Sequence, residues 1–117
     1  QTWFQEDIAP FVCTESGGRW CLGLDTGEYC RELFLRAGLS GTGWDWERLA
    51  RAYLRRYQPD DGPFVEYACE ERVFFAASED GEILRRMALG LSDLLRYEPD
   101  RILALLVPAE SVRKGTF

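Results

Sequence analysis

The sequence predicts an α+β fold in a single domain, with two β-hairpins forming one antiparallel sheet and helices packed on one side. Two stretches rich in β-branched and aromatic residues each divide into a pair of short strands around a turn. Four further stretches carry apolar residues at steps of three and four, the spacing of an amphipathic helix. The predicted order is ββααββαα, and 117 residues is a typical length for one domain. Because an isolated hairpin is marginally stable, the two hairpins are expected to pair edge to edge or to pack on the same helices.

The first hairpin is expected to follow a loose lead-in of residues 1–9. Residues Pro10–Glu15 read as its first strand, Ser16–Gly18 as the turn, and Arg19–Leu24 as the second strand. Apolar residues alternate along the second strand, which predicts one buried face. The residues on that face are Trp20, Leu22 and Leu24.

A first helix is expected directly after this hairpin. Asp25 and Glu28 have the spacing of a capping box, which predicts a helix start at Thr26 or Gly27. Gly38 is placed to end the helix. Its apolar stripe consists of Tyr29, Cys30, Leu33, Phe34 and Ala37.

The second helix follows a glycine-containing loop and is expected to end near Tyr57. Gly41 and Gly43 permit a tight turn, and Asp45 is expected to be the N-cap, where its carboxylate accepts a backbone N–H. Trp46 leads an apolar stripe at helical spacing. The opposite face carries Glu47, Arg48, Arg51, Arg55 and Arg56.

The second hairpin is expected after a strong turn signal at residues 59–63. Its strands are predicted at Phe64–Cys69 and Arg72–Ser78, with Glu70 and Glu71 in the turn between them. This pair lacks the glycine or asparagine that a tight two-residue turn prefers.

Two helices complete the predicted fold. Ser78 is placed to cap a helix that keeps its apolar spacing to about Tyr97, and Pro99 is placed to begin a short helix that ends at Val107. The predicted domain core therefore spans residues 10–107, with residues 1–9 and 108–117 flanking it.

The charge of the chain bears on its partners. Twenty acidic residues against 14 basic ones give a formal charge of −6. Because nucleic-acid binding needs clustered Lys and Arg, nucleic acid is not expected as a direct partner. An acidic surface instead favours a basic protein partner, or it simply keeps the protein in solution.

Neither a membrane span nor a signal peptide is visible in the sequence. No apolar run approaches the roughly 20 residues that a membrane-spanning helix needs, and residues 1–10 have no basic segment followed by a long apolar one. These features predict a cytoplasmic protein. The chain begins at Gln1 without a methionine, which is consistent with a processed terminus.

The four cysteines are Cys13, Cys21, Cys30 and Cys69, and the chain has no histidine. None of the cysteines forms a C-x-x-C pair, so no zinc site is expected. They are interpreted as reduced, buried thiols. Cys13 and Cys21 fall on neighbouring predicted strands, which leaves a disulfide between them as an alternative. No metal and no cofactor is expected.

The sequence does not indicate an enzyme. Without histidine, the commonest general base and the usual partner of a nucleophile are missing. Carboxylates occur in pairs at residues 60–61, 70–71 and 79–80, but each pair lies at a predicted turn, where acids are solvated. Asp60, Asp61 and Glu66 could approach a hard cation, but they lack the spacing of a calcium loop.

Trp44 precedes the expected cap and has two readings. A rigid, partly exposed aromatic side chain beside acidic residues is typical of an anchor for a protein partner. The same position fits a hydrophobic staple across the start of the helix.

The residues around this loop also carry a family resemblance. The run Gly41-Thr42-Gly43-Trp44-Asp45-Trp46, with Leu49 and Ala50 after it, resembles the G-x-G-[YW]-D-W-x-x-L-A motif of the immunity protein 51 family. The resemblance extends to Pro10-Phe11 and to the segment from Glu70 to Ser78, and covers about residues 10 to 110. The chain departs from the family pattern at Ala68, where the family has Asp, and at Glu71-Arg72, where it has Ala-Gly.

The resemblance implies a small bacterial cytosolic protein that binds a toxin encoded beside it and thereby protects the producing cell. A steric block of the toxin's active site, steered by acidic side chains, is the expected mechanism. The candidate partner-binding residues are Asp60, Asp61, Glu66, Glu70, Glu71 and Trp44. The motif residues expected to hold the fold are Gly41, Gly43, Asp45 and Trp46.

Two other function classes stay open from the sequence. The first is a small regulatory, adaptor or ligand-binding domain without a toxin partner, and the second is an enzyme that uses Asp and Glu chemistry. The oligomeric state is also open, because an exposed hairpin edge can pair with another chain.

Overall fold

A computed structural model describes residues 5–27 and 30–107. Its helices and strands follow the predicted ββααββαα order, with a short helix added at the start and a 3₁₀ helix added before the second hairpin. They are α1 (Gln5–Ile8), β1 (Val12–Ser16), β2 (Arg19–Asp25), α2 (Arg31–Arg36), α3 (Gly43–Tyr57), a 3₁₀ helix (Gly62–Phe64), β3 (Glu66–Tyr67), β4 (Val73–Ser78), α4 (Gly81–Tyr97) and α5 (Pro99–Leu106).

The four strands form one antiparallel sheet in the order β1-β2-β4-β3. The two hairpins pair through β2 and β4, so the expected edge-to-edge pairing is confirmed. Leu22 lies opposite Ala76, and Leu24 lies opposite Phe74. These four side chains are buried and share one face of the sheet, because residues opposite each other in a ladder point to the same side.

The helices pack on this face, which confirms the predicted α+β arrangement. α3 contacts β4, α4 contacts both β2 and β4, and α5 packs on α3 and α4 from the outer side. The core between helices and sheet is aromatic at its centre and aliphatic around it. Its largest fully buried side chains are Trp46, Phe11, Phe34, Phe74, Ile8, Leu22, Leu49, Leu84, Met87, Leu91, Ile102 and Leu106.

The lead-in is more ordered than predicted from residue 5 onward. α1 packs against α4, Ile8 is buried, and the hydroxyl of Ser92 donates a hydrogen bond to the carbonyl oxygen of Ala9 at 2.7 Å. Residues 1–4 and 108–117 of the predicted flanks lie outside the described residues.

The predicted start of the first helix is wrong. α2 begins at Arg31, because the sheet pairing continues past Asp25 and the buried Thr26 donates its backbone N–H to the carbonyl oxygen of Arg72 at 2.9 Å. Cys30, directly before α2, has a left-handed backbone with φ of 55°. The capping box with Glu28 and the stripe position Tyr29 lie outside the described residues.

The second hairpin also differs from the prediction, because its turn is Glu71-Arg72 rather than Glu70-Glu71. Glu70 and Val73 exchange two backbone hydrogen bonds of 2.9 and 3.2 Å around that turn. The first strand shortens to Glu66–Tyr67, and beyond it the thiol of Cys69 accepts the backbone N–H of Phe75 at 3.4 Å.

The last two helices follow the predictions closely, although the cap of α4 differs. Asp80 is the N-cap, and its carboxylate accepts the N–H of Glu82 at 3.0 Å. The predicted cap, Ser78, instead accepts the N–H of Asp80 at 3.0 Å. α5 begins at Pro99, as expected.

The strand register excludes the disulfide alternative. Cys13 lies opposite Leu22 on the core face, whereas Cys21 lies opposite Thr14 on the other face. Their side chains therefore point to opposite sides of the sheet. All four cysteines are free and half-buried.

Candidate functional site

The glycine-containing loop is fixed by a single carboxylate at the start of α3. One oxygen of Asp45, Oδ2, accepts the backbone N–H groups of Ser40, Gly41 and Thr42 at 3.1, 2.8 and 3.1 Å. The hydroxyl of Thr42 accepts the N–H of Asp45 at 3.2 Å, which completes a capping box. Thr42 is therefore the N-cap, and the prediction that Asp45 occupies this position is wrong.

Gly43 is the point where α3 touches the second hairpin. Its N–H donates to the carbonyl oxygen of Glu71 at 2.9 Å. A Cβ at this position would lie 2.0 Å from the carbonyl oxygen of Val73 and 2.1 Å from that of Glu70. Only glycine permits so close an approach. Gly41, with φ of 84°, needs glycine for its left-handed backbone.

Trp46 joins the motif to the rest of the core. Its side chain is fully buried, with ring centroids 5.0 Å from Phe34 of α2 and 5.8 Å from Phe11 before β1. Such tilted and edge-to-face pairs are favourable geometries for aromatic rings. Gly41, Gly43, Asp45 and Trp46 thus connect α2, α3, the second hairpin and the start of β1.

Trp44 lies in the first turn of α3 with 56% of its surface exposed. A hydrophobic staple joins the residue before the N-cap to the fourth helical residue. With Thr42 as the N-cap, Trp44 is the second helical residue and cannot serve as a staple. It presents an indole ring to solvent on a rigid helix.

Three of the predicted contact residues come together at this end of α3. The hydrogen bond between Gly43 and the carbonyl of Glu71 holds the turn of the second hairpin beside Trp44. Glu70 and Glu71 are both exposed, and neither has a basic side chain within 4 Å among the described residues. Their backbone lies beside the start of α3, and Glu71 shares a surface hollow with Arg31 and Arg72.

The other three acidic residues lie apart from this group. Asp60 and Asp61 follow the far end of α3. Asp61 is 18% exposed and accepts hydrogen bonds from Arg86 at 3.1 Å and from Gln58 at 2.9 Å. Glu66 points to the other face of the sheet, opposite Ala77, and forms an ion pair with Arg19 of β2.

Between these acidic ends, α3 presents a positively charged surface that the sequence prediction did not single out. Trp44, Arg48, Arg51 and Arg55 follow each other at steps of four, three and four residues, so they form one stripe on the helix. We call these four residues, three arginines preceded by Trp44, the arginine stripe. Its signal is present in the sequence as helical spacing, which places the three arginines on the face opposite the apolar stripe.

A groove separates the arginine stripe from β3. It has a volume of about 290 Å³ and is lined by Arg51, Leu54 and Arg55 of α3, by Pro59, Gly62 and Pro63, and by Tyr67 of β3. A second hollow of about 340 Å³ continues it along the helix past Trp44, Glu47 and Arg48. We call the two together the α3 groove.

Tyr67 forms the floor of the α3 groove. The guanidinium carbon of Arg51 lies 4.4 Å above the centre of the Tyr67 ring, a cation–π contact, and Arg51 also pairs with Glu47 at 2.8 Å. The Tyr67 hydroxyl is buried and has no hydrogen-bond partner among the described residues. Burial raises the pKa of Tyr67 to about 12.

The described part of the chain shows neither a metal-binding cluster nor a membrane-spanning helix. Within residues 5–27 and 30–107, no group of three Cys, Asp or Glu side chains is arranged to hold a metal ion. Burial raises the pKa of Cys13, Cys69 and, to about 11, Cys30, which keeps these thiols protonated at neutral pH. No helix in the same ranges is both long and apolar enough to cross a membrane.

A helix-covered antiparallel sheet with charged and aromatic side chains on the outer face of α3 defines a small α+β domain. A family model described as Immunity protein 51 matches residues 11–106. The chain therefore belongs to the immunity protein 51 family, and its general role is immunity to a toxin. Comparisons with curated proteins and with solved structures gave no match.

Proposed function

We propose that this protein protects a bacterial cell by binding a cognate protein toxin and occluding its active site. The observation that carries the proposal is the family match over residues 11–106, which spans every strand and helix from β1 to α5. A partner-binding role also agrees with an exposed tryptophan on a rigid helix, since tryptophan is enriched among the residues that dominate interface energies.

The contact we propose is centred on Trp44, Glu70 and Glu71. Trp44 would be buried against the toxin, and the two carboxylates would meet basic residues that the toxin uses to hold its own substrate. A toxin that acts on nucleic acid or on a phosphorylated nucleotide has such a positive site, and carboxylates can imitate phosphate groups there. Exposed charges of this kind mainly raise the association rate.

The remaining predicted residues have smaller parts in this proposal. Asp60 is exposed at the far end of α3 and is a candidate for a peripheral contact. Asp61 and Glu66 already pair with Arg86 and Arg19, so a partner would have to compete with these arginines for them.

The test compares two charge reversals of equal size. Glu71→Lys changes the proposed contact, and Asp93→Lys changes an exposed residue of α4 as the matched control. With the toxin encoded beside the gene, Glu71→Lys is expected to slow association by about tenfold and to reduce its dependence on salt, whereas Asp93→Lys has a much smaller effect. Failure of the wild-type protein to form a complex at micromolar concentration would contradict the proposal.

A further inference from the structure

The arginine stripe is a positively charged surface on an acidic protein, compensated at Arg51 by Glu47. The chain carries a formal charge of −6, yet Arg48, Arg51 and Arg55 are all exposed on one side of α3. Among the described residues, Arg48 and Arg55 have no carboxylate within 4 Å, and only Arg51 forms an ion pair. The surface is therefore available to a negatively charged partner.

Placing three arginines on one stripe of a helix has an electrostatic cost. Arginines three and four residues apart on a helix repel each other, at a cost of a few tenths of a kcal/mol per pair. Glu47 relieves the repulsion at Arg51, and Arg48 donates a hydrogen bond to the carbonyl oxygen of Leu106 at 3.3 Å. Arg55 makes no such contact with the described residues, so its guanidinium group can pair with a carboxylate of a partner.

The α3 groove is long enough to hold a short extended peptide. From Trp44 to Arg55 the helix rises about 16 Å, which about five residues of extended chain span. β3 borders the groove as the edge strand of the sheet. The N–H of Ala68 donates to Phe75, so the backbone N–H and C=O of Tyr67 point away from β4, as alternation along an antiparallel ladder requires.

Acidic residues follow both ends of α3. The N–H of Gly43 donates to the carbonyl oxygen of Glu71, which holds the turn with Glu70 and Glu71 at the start of the helix, and Asp60 follows Pro59 after its other end. A long polyanion such as a nucleic-acid strand would run against these carboxylates, whereas a short acidic segment would fit between them. Charge complementarity thus selects a brief run of Asp or Glu in an extended protein chain.

We infer that the α3 groove binds a short, extended, acidic segment of the partner protein, with Arg48 and Arg55 holding its carboxylates and Trp44 packing against it. The inference rests on the proposed function, in that the partner is the toxin. The toxin would then meet this protein with opposite charges at two places: basic residues at Glu70 and Glu71, and an acidic segment along α3. Contacts of opposite charge at two places fix the orientation of the two proteins in the complex.

The neighbouring residues Arg55 and Arg56 provide a matched pair of variants. Both are exposed, and both substitutions to Glu change the net charge equally, but only Arg55 lines the α3 groove. Arg56 lies over the ring of Tyr57 instead. We expect Arg55→Glu to weaken toxin binding by about tenfold or more and Arg56→Glu by less than about threefold. Equal effects of the two variants would overturn the inference.

A second experiment needs no toxin. Hexaglutamate is titrated into the ¹⁵N-labelled protein at low ionic strength, and a hexathymidine oligonucleotide is titrated in parallel. Shifts at the Trp44 indole and at the amides of residues 48–55 with the peptide, absent in Arg55→Glu and retained in Arg56→Glu, support the inference. Absence of such shifts at millimolar peptide, or larger ones with the oligonucleotide, would overturn it.

The two experiments separate the inference from the proposed function. If the wild-type protein does not bind the toxin, the proposed function fails, while the peptide titration still tests the α3 groove. If the toxin binds and Glu71→Lys weakens it but Arg55→Glu does not, the function stands and the inference fails.

Discussion

At the scale of single residues, Asp45 has the largest number of defined polar contacts in the family motif. One carboxylate oxygen satisfies three backbone N–H groups that precede α3, and the negative charge lies at the positive end of the helix dipole. The loop from Ser40 to Thr42 therefore depends on this side chain for its conformation.

Replacing Asp45 by Ala is expected to lower the free energy of unfolding by about 2 kcal/mol or more, because three N–H groups lose a charged acceptor. The matched control is Asp80→Ala at the start of α4, where the carboxylate accepts one N–H and the expected loss is about 1 kcal/mol. Urea denaturation of both variants gives the comparison. An Asp45→Ala variant as stable as Asp80→Ala would contradict this account of the loop.

At the scale of secondary-structure elements, the decisive contact is between the start of α3 and the turn of the second hairpin. The contact uses backbone atoms on both sides: the N–H and Cα of Gly43 meet the carbonyl groups of Glu70, Glu71 and Val73. Since a backbone contact leaves no room for a side chain, the distance between helix and hairpin is set by one glycine.

Gly43→Ala is therefore expected to destabilise the protein by about 2–3 kcal/mol, because the new methyl group would overlap two carbonyl oxygens and force the helix from the hairpin. Gly62→Ala is the control, since a Cβ at Gly62 would meet no atom within 4 Å; its stability should stay within about 1 kcal/mol of wild type. Thermal unfolding measures both. Equal unfolding temperatures for the two variants would show that the contact between α3 and the hairpin tolerates a side chain at residue 43.

At the scale of the whole molecule, several ionisable groups are kept neutral by burial. Desolvation raises the pKa of Tyr67 to about 12, that of Cys30 to about 11, and that of Tyr53 in the same direction. In the unfolded chain these groups lose their protons at lower pH than in the folded one. Alkaline pH therefore stabilises the unfolded state relative to the folded state.

The free energy of unfolding is accordingly expected to fall as the pH rises from about 9 to about 12, and to be unaffected by these groups below that range. Tyr67→Phe should make the fall shallower above pH 10 and leave neutral stability unchanged or raised, because the buried hydroxyl has no partner among the described residues. Urea unfolding at a series of pH values tests this, and a wild-type slope in Tyr67→Phe would contradict it.

The parts of the fold that the sequence predicted well are those governed by local pattern. The apolar stripes of α3 and α4 and the Gly17-Gly18 hairpin are examples, because periodicity and turn chemistry act over a few residues. The start of α2 was missed because pairing between β2 and β4 holds Thr26 in the sheet. The pattern Thr42-x-x-Asp45 did carry the signal of a capping box, although Asp45 was interpreted as the cap itself.

The candidate site was harder to predict, since its electrostatics depend on distant residues. Asp61 meets Arg86, 25 positions away, and Glu66 meets Arg19, 47 positions away. Neither pairing is encoded in local spacing, so all the acidic turns looked equally available. The α3 groove likewise depends on where Tyr67 lies relative to α3, which only the assembled sheet determines.

The backbone contact at Gly43 has a consequence for how such a protein can change. The second hairpin is held by its main-chain oxygens, and the side chains of residues 70–72 all extend into solvent. Substitutions in this turn can therefore alter its charge, size and shape while the scaffold beneath stays intact. A few exterior side chains can thus be exchanged without refolding the domain around them.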